Sequence, residues 1–386
     1  MCRTIAVTTP PDMRNPPALP KHQHGALLIL LVIALGVLAA AVFVSMLSSS
    51  DIQNQRDKTT AAALAEAKAA LIGFAASDTN RPGELPCPDF DGDGQITVAN
   101  DYTGSACKTY IGRLPWKSLE LPDLRDGYGE QLWYAVSVNF HANGSAKLNS
   151  DLPGQLSISG LSPASNIIAI VFSAGPPLAG QLRDATHANI LSNYLEGNNA
   201  LGSGNINYTT ANVSSTFNDE LMPITSDNLF PVIEKRVARE LVASLQAYAQ
   251  SNGNTYPYAA PLSGSVNCTP GNASGRIPLT DMNCPLATPS WFSANNWNNF
   301  VYYAIAPSGQ MLTVGTATNI KALIITTGRR LNNTLCDVSS YGPQAARPSV
   351  NICDSLDNTE NTNGDNVYSR SQITSSSNDQ TFIVAP

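Results

Sequence analysis

Residues 25–47 read GALLILLVIALGVLAAAVFVSML. From Ala26 to Leu47 the run is apolar and uncharged. At about 1.5 Å per helical residue it spans roughly 33 Å, enough for the ~30 Å hydrocarbon core of a bilayer. The residues ahead of it are Pro-rich and carry Arg3, Arg14 and Lys21 against a single acid, Asp12. That basic leader keeps the N-terminus cytoplasmic and sends everything after Ser48 across the membrane. A cleaved signal peptide has an apolar core of only about 7–15 residues ending at a small-x-small site, and this run is longer.

The next segment, TTAAALAEAKAALIGFAAS (59–77), is rich in helix formers. Leu64, Ala67, Leu71 and Phe74 recur at three- and four-residue spacing, which draws one apolar stripe along a helix. Continuous with the span, the helix over 26–77 would reach about 78 Å. Ordinary globular helices run about 8–20 residues.

Lys21-x-x-x-Gly25 directly abuts the apolar helix. This arrangement resembles the class III leader of type IV pilins and type II secretion pseudopilins. The resemblance implies that a prepilin peptidase cuts between Gly25 and Ala26 and methylates the new N-terminus. It also implies that the partners are other pilin or pseudopilin subunits. The chain would sit in the bacterial inner membrane as a single-pass protein with its head in the periplasm. Two positions depart from the family pattern. Ala26 stands where Phe or Met is usual, and Leu30 stands where a Glu pairs with a neighbouring subunit. Lack of that Glu, together with a bulky head, implies a minor subunit at a fibre tip. The alternative is a signal-anchored periplasmic binding or adhesion protein that never enters a fibre.

The order of features in 62–175 recurs in 236–328. LIGFAAS (71–77) answers to LQAYAQS (245–251), LWYAVS (132–137) to VYYAIA (301–306), and NIIAIVFSAG (166–175) to NIKALIITTG (319–328). A second amphipathic helix, with Ile233, Val237, Leu241, Leu245 and Tyr248 on one face, opens the second copy. The expected fold is α+β: a long N-terminal pilin-like helix packed on an antiparallel sheet, then a second helix-plus-sheet repeat. The boundaries read as a leader at 1–25, the helix at 26–77 (26–47 in the membrane), a first head at 78–225, a second at 226–353, and a C-terminal tail at 354–386 that is loop-like to about Asp379 and ends in a short strand, TFIVAP. Residues 176–227 read as a polar linker, with NDELMPIT inside it as a strand or loop.

Cys2 falls in the leader, leaving six cysteines in the exported part. Proximity pairs them as Cys87–Cys107, Cys268–Cys284 and Cys336–Cys353, one of 15 connectivities. The duplication favours the first two, as bridges closing equivalent loops. Each would contribute about 3 kcal/mol in the chain-entropy model and needs an oxidising compartment. The spacing suits no zinc site.

Charged residues make up 13% of the chain, and 22 Lys+Arg against 29 Asp+Glu leave a net charge of −7. That balance argues against nucleic-acid binding. Asp89-Phe90-Asp91-Gly92-Asp93-Gly94-Gln95-Ile96 matches the start of a calcium loop, with Asp89, Asp91, Asp93 and Gln95 as the ligands expected. The twelfth position holds Asn100 instead of Glu, with Asp101 just beyond. A solvated Asp/Gly turn is the alternative reading.

Asp126-Gly127-Tyr128-Gly129, ahead of an aromatic strand, resembles in loose form a segment of major pseudopilins. Physically it reads as a tight turn into a strand. Glu120, Asp123, Asp126 and Glu130 would be the acids of a glycoside hydrolase, but the second copy has Asn295, Asn296, Asn298 and Asn299 in that place. The sequence holds no nucleophile elbow, P-loop, Rossmann glycine set or H-E-x-x-H. The expectation is therefore a non-enzymatic protein.

Overall fold

A computed structural model describes residues 24–280, 282, 284–332, 336, 343–370 and 372–385. The chain divides into two compact units, one ending at Gln55 and the other starting at Arg56. The described part of the first unit is helical throughout, the N-terminal part of α1 (His24–Ser77). The remainder is a mixed α+β body built largely from antiparallel strands.

In that body α1 ends against a sheet, as its stripe predicts. Leu64, Ala67, Leu71 and Ala75 are buried, and Phe74 is half-buried at the edge. A short helix α2 (Val98–Asp101) and a small hairpin, β1 (Tyr102–Thr103) with β2 (Ala106–Cys107), lead into the first large sheet. Its strands are β3 (Ile111–Arg113), β4 (Trp133–Val136), β5 (Leu156–Gly160), β6 (Ala164–Ser173), β7 (Asn207–Thr210) and β8 (Glu220–Thr225). They lie in the order β3-β4-β6-β5-β7, with β8 also along β6. All pairs are antiparallel except β5 with β7. The long β6 is central, so both of its faces are covered and NIIAIVF needs no polar alternation.

Helix α3 (Ser226–Ser251) follows at once and buries Ile233, Val237, Leu241 and Leu245. Then come β9 (Ser274–Arg276), β10 (Val301–Ile305), β11 (Leu312–Val314), β12 (Ala317–Ile320), β13 (Ala322–Thr326), β14 (Val367–Tyr368) and β15 (Gln380–Ala385). They form a four-stranded sheet, β15-β13-β10-β9, and a three-stranded one, β12-β11-β14.

Two readings of the sequence change here. Residues 176–227 are not a linker: they supply β7 and β8, the latter paired along β6 from Ile167 to Ser173. In residues 354–386 the strand expected at TFIVAP forms, as β15 paired with β13, but the stretch before it is not loop throughout, because β14 pairs with β11. The strands that went unread, β7 (NYTT) and β14 (VY), are short and set in long polar stretches, so they carry little hydrophobic signal of their own.

Nor do residues 78–225 and 226–353 form two separate heads. One hydrophobic core takes in Leu71 of α1, Tyr134 of the first sheet, Val237 of α3 and Tyr303 of the second sheet. Two smaller cores cover the far faces, around Trp133 and Phe172 and around Tyr302 and Leu323.

Candidate functional site

Judged by length and composition, α1 holds the one helical stretch among the described residues that could cross a membrane, Ser50–Ser77. Its part from Ser50 onward is committed to the sheet through Leu64, Ala67 and Leu71. The stretch Leu28–Val42 is apolar and exposed on all sides: Leu28, Leu31, Leu35 and Leu38 are each more than half exposed. Gly25 and Ala26 lie in the first turn of α1, with their side chains outside the described residues. Lys21 and Leu30 fare differently: Lys21 also lies outside them, while Leu30 is 66% exposed. Two disulfides, Cys87–Cys107 and Cys336–Cys353, are formed in the body, as suits an exported domain.

No bond joins Cys268 to Cys284. The argument from equivalent loops fails for a topological reason. Cys87 and Cys107 both precede β3, whereas Cys268 and Cys284 stand on opposite sides of β9. Both line a cavity of about 770 Å³ together with Tyr248, Tyr256, Tyr258 and Met311.

The acidic loop closes on itself. Carboxylate oxygens of Asp89, Asp91 and Asp101 lie within 4.8 Å of one another. Asp89 accepts from the N–H groups of Gly92 (2.7 Å) and Gly94 (2.6 Å), and Asp101 accepts from Phe90 (2.9 Å) and Thr97 (2.8 Å). Asn100 donates to Asp91 (2.6 Å). Burial pushes the Asp89 carboxyl up to about 6. Three converging carboxylates are the hard-oxygen donor set that calcium takes. Asp101 supplies the third, and Asp93 and Gln95 of the expected set stay outside it, Asp93 accepting instead from the Gln95 N–H at 2.7 Å. Thr97 starts α2 by accepting from Asn100 N–H (3.2 Å), which carries Asp101 back over the loop. The sequence signal was there, one residue past the position the motif prescribes.

Asp126 is buried and holds the DGYG turn. It accepts from Tyr128 N–H (2.9 Å), Glu130 N–H (3.0 Å), Ser173 Oγ (2.8 Å) and Gly175 N–H (3.1 Å). Gly127 N–H donates to Thr60 Oγ1 of α1 at 3.0 Å. Asp123 meets Arg125, and Glu130 meets Arg183 at 3.4 Å. Asp123, Asp126 and Glu130 are therefore each engaged in separate structural bonds.

Sequence reasoning missed two buried acid pairs. In the first, Asp219 accepts from Glu196 N–H (2.9 Å), and Glu196 accepts from Asn218 N–H (3.1 Å) and Gln181 Nε2 (2.7 Å). In the second, Asp379 accepts from Asp357 N–H (2.8 Å), and Asp357 accepts from Asn378 N–H (2.7 Å) and Gln344 Nε2 (2.9 Å). Arg183 spans Gln181 and Gly175 O as Arg347 spans Gln344 and Gly328 O. Burial, then the neighbouring Glu196, pushes Asp219 up to about 8, and burial with Asp357 raises Asp379 far above the carboxylate range. Each pair pins a loop to the strand after it through these hydrogen bonds. The only trace in the sequence is the repeated Asn-Asp before β8 and β15.

Compared with protein-family models, curated proteins and solved structures, the chain matches none.

Proposed function

We propose that the chain is a non-enzymatic minor subunit of a type IV pilus or type II secretion apparatus. The observation that carries this reading is the division of labour along α1. Leu28–Val42 offers an exposed apolar surface, and Leu64, Ala67, Leu71 and Ala75 are buried in the α+β body. A prepilin peptidase would release Ala26, and the 26–47 helix would pack against like helices of other subunits. The head would stay in the periplasm, where its disulfides persist, and Leu30 in place of Glu fits a terminal position at the tip.

The same reading includes an internal duplication, supported by strand-for-strand correspondence. β3-β4-β6 with β8 answers to β9-β10-β13 with β15, and the parallel pair β5/β7 answers to β11/β14. Tyr134 Oη donates to Pro86 O (3.2 Å) as Tyr303 Oη donates to Pro257 O (3.0 Å). The paired acid corners extend the match to the end of each copy.

Intact mass and N-terminal sequencing of the protein from native membranes test the assignment. N-methylated Ala26 at the start is the expected result. A start at Met1 would leave a permanent anchor and favour the second reading, a periplasmic binding protein, for which the 770 Å³ cavity speaks.

A further inference from the structure

The two copies differ most in one connection. Between β4 and β5 the chain runs through 137–155, whereas between β10 and β11 it needs only 306–311. In the first copy the extra length folds back over the sheet. Leu85 N–H donates to Phe140 O (2.7 Å), and Ala142 N–H donates to Leu85 O (2.8 Å). The His141 ring stands edge-on to Tyr110 at 5.6 Å, and the Phe140 side chain is fully buried. The connection thus pairs with the backbone at Leu85 and inserts an aromatic ring beside it.

In the second copy the position of Leu85 is taken by Tyr256. Hydrogen bonds fix this register on both sides: Gly83 N–H to Ala75 O (2.9 Å) answers to Asn254 N–H to Ala249 O (2.8 Å), and Pro86 and Pro257 accept from equivalent tyrosines. Likewise Tyr110 O accepts from Val136 N–H (3.0 Å) as Ala273 O accepts from Ile305 N–H (2.8 Å). Nothing answers to 138–142. The Tyr256 N–H and C=O make no hydrogen bond among the described residues. Beside them opens the 770 Å³ cavity, walled by Tyr248, Tyr256, Ala273, Ile305 and Met311, with Lys321 as its one charged lining residue among those described.

We propose that this cavity is a docking groove for an extended peptide segment of a partner protein. The segment pairs with the backbone of Tyr256 and inserts a large apolar side chain, as Phe140 does in the first copy. The chain thereby carries a picture of its own ligand: backbone pairing supplies affinity, and the inserted side chain supplies selectivity. The inference rests on the match between the two copies and not on fibre assembly, so the identity of the mature N-terminus leaves it untouched.

The probe is a fluorescein-labelled synthetic peptide, SVNFHAN, copied from residues 137–143. It is titrated by anisotropy into the full-length protein in detergent micelles. Saturable binding is expected, at least about tenfold weaker for the peptide with Ala in place of Phe. Ala273→Trp, which narrows the cavity, weakens binding by a similar factor. Met311→Glu at the half-exposed rim does the same should the Trp variant fail to fold. A photoreactive benzoylphenylalanine at the Phe position crosslinks to Met311 or Tyr256. Three results would overturn the proposal: no saturation up to about 1 mM peptide, equal binding by both variants, or crosslinks confined to other surfaces. Self-association without peptide that Ala273→Trp abolishes would make the occupant a second copy and refute the partner reading.

Discussion

Gly127 and Gly129 stand two residues apart in one turn, and a methyl group on each would meet different things. On Gly127 it would run into the backbone of Arg56, whereas Gly129, at φ +85°, faces open space. Gly127→Ala should therefore cost about 1–3 kcal/mol through overpacking, and Gly129→Ala only about 1 kcal/mol of backbone strain. Chemical denaturation of the two variants separates these values. The turn itself was legible in Asp-Gly-Tyr-Gly. Its grip on α1 was not, because Thr60 is remote in sequence and an Ala-rich helix gives no sign of which threonine faces inward. At Asp219 the buried carboxyl stays protonated up to about pH 8. Asn is close in shape to that neutral form, so Asp219→Asn should leave the protein at least as stable as the parent at pH 8. A clear loss of melting temperature there would mean that the charged form is the one folded around.

Helix α1 joins two different surfaces, and substitutions should sort by which one they touch. Leu71 is fully buried, and Leu71→Ala should destabilise the body by about 2–5 kcal/mol. Leu35 is 58% exposed, and Leu35→Ala should leave the denaturation midpoint unchanged. Leu35→Lys should instead impair membrane retention, at about 3 kcal/mol for a charge at the centre of a span, as read by carbonate extraction. Replacing Cys87 and Cys107 with Ala, which opens a loop of separation 20, should cost about 3 kcal/mol in a non-reducing melt. The apolar stripes of α1 and α3 and the runs of β4, β6, β10 and β13 could be read from the sequence, because burial on a continuous face leaves a periodic trace. TFIVAP announces β15 and NDELMPIT allows β8 as a strand or loop, but β7 (NYTT) and β14 (VY) leave no such trace inside their polar stretches. Cys268 shows the same boundary. Its spacing to Cys284 looks like that of Cys87 to Cys107, but only the strand between them reveals that the loops differ.

Across the whole molecule, buried acids set how stability varies with pH. Glu234 is raised to about 7 by burial, and its oxygens accept from Ser150 Oγ (2.6 Å) and Gln380 Nε2 (2.8 Å). Asp357 is raised to about 6 and Asp219 to about 8. Between about pH 4 and pH 8 the folded chain holds protons that the unfolded chain has released, so stability is greatest at the acid end and falls as pH rises. Denaturant melts across that window should show a decline of a few kcal/mol or so. A curve that rises toward pH 8 would refute the protonation assigned to these groups. Other hydrogen bonds tie α1 to β8 and α3. Lys68 of α1 donates to Pro223 O and to Asn228 Oδ1, both at 2.8 Å. From α3, Arg236 reaches the carbonyls of Ala76, at 2.7 Å, and Asp78, closing the C-terminal end of α1. A gene carrying only the first half would encode a helix with open carbonyls and half a core. A gene carrying only the second would encode a helix whose arginine had nothing to close. A chain cut between 225 and 226 is therefore expected to yield two fragments that regain the fold only when mixed.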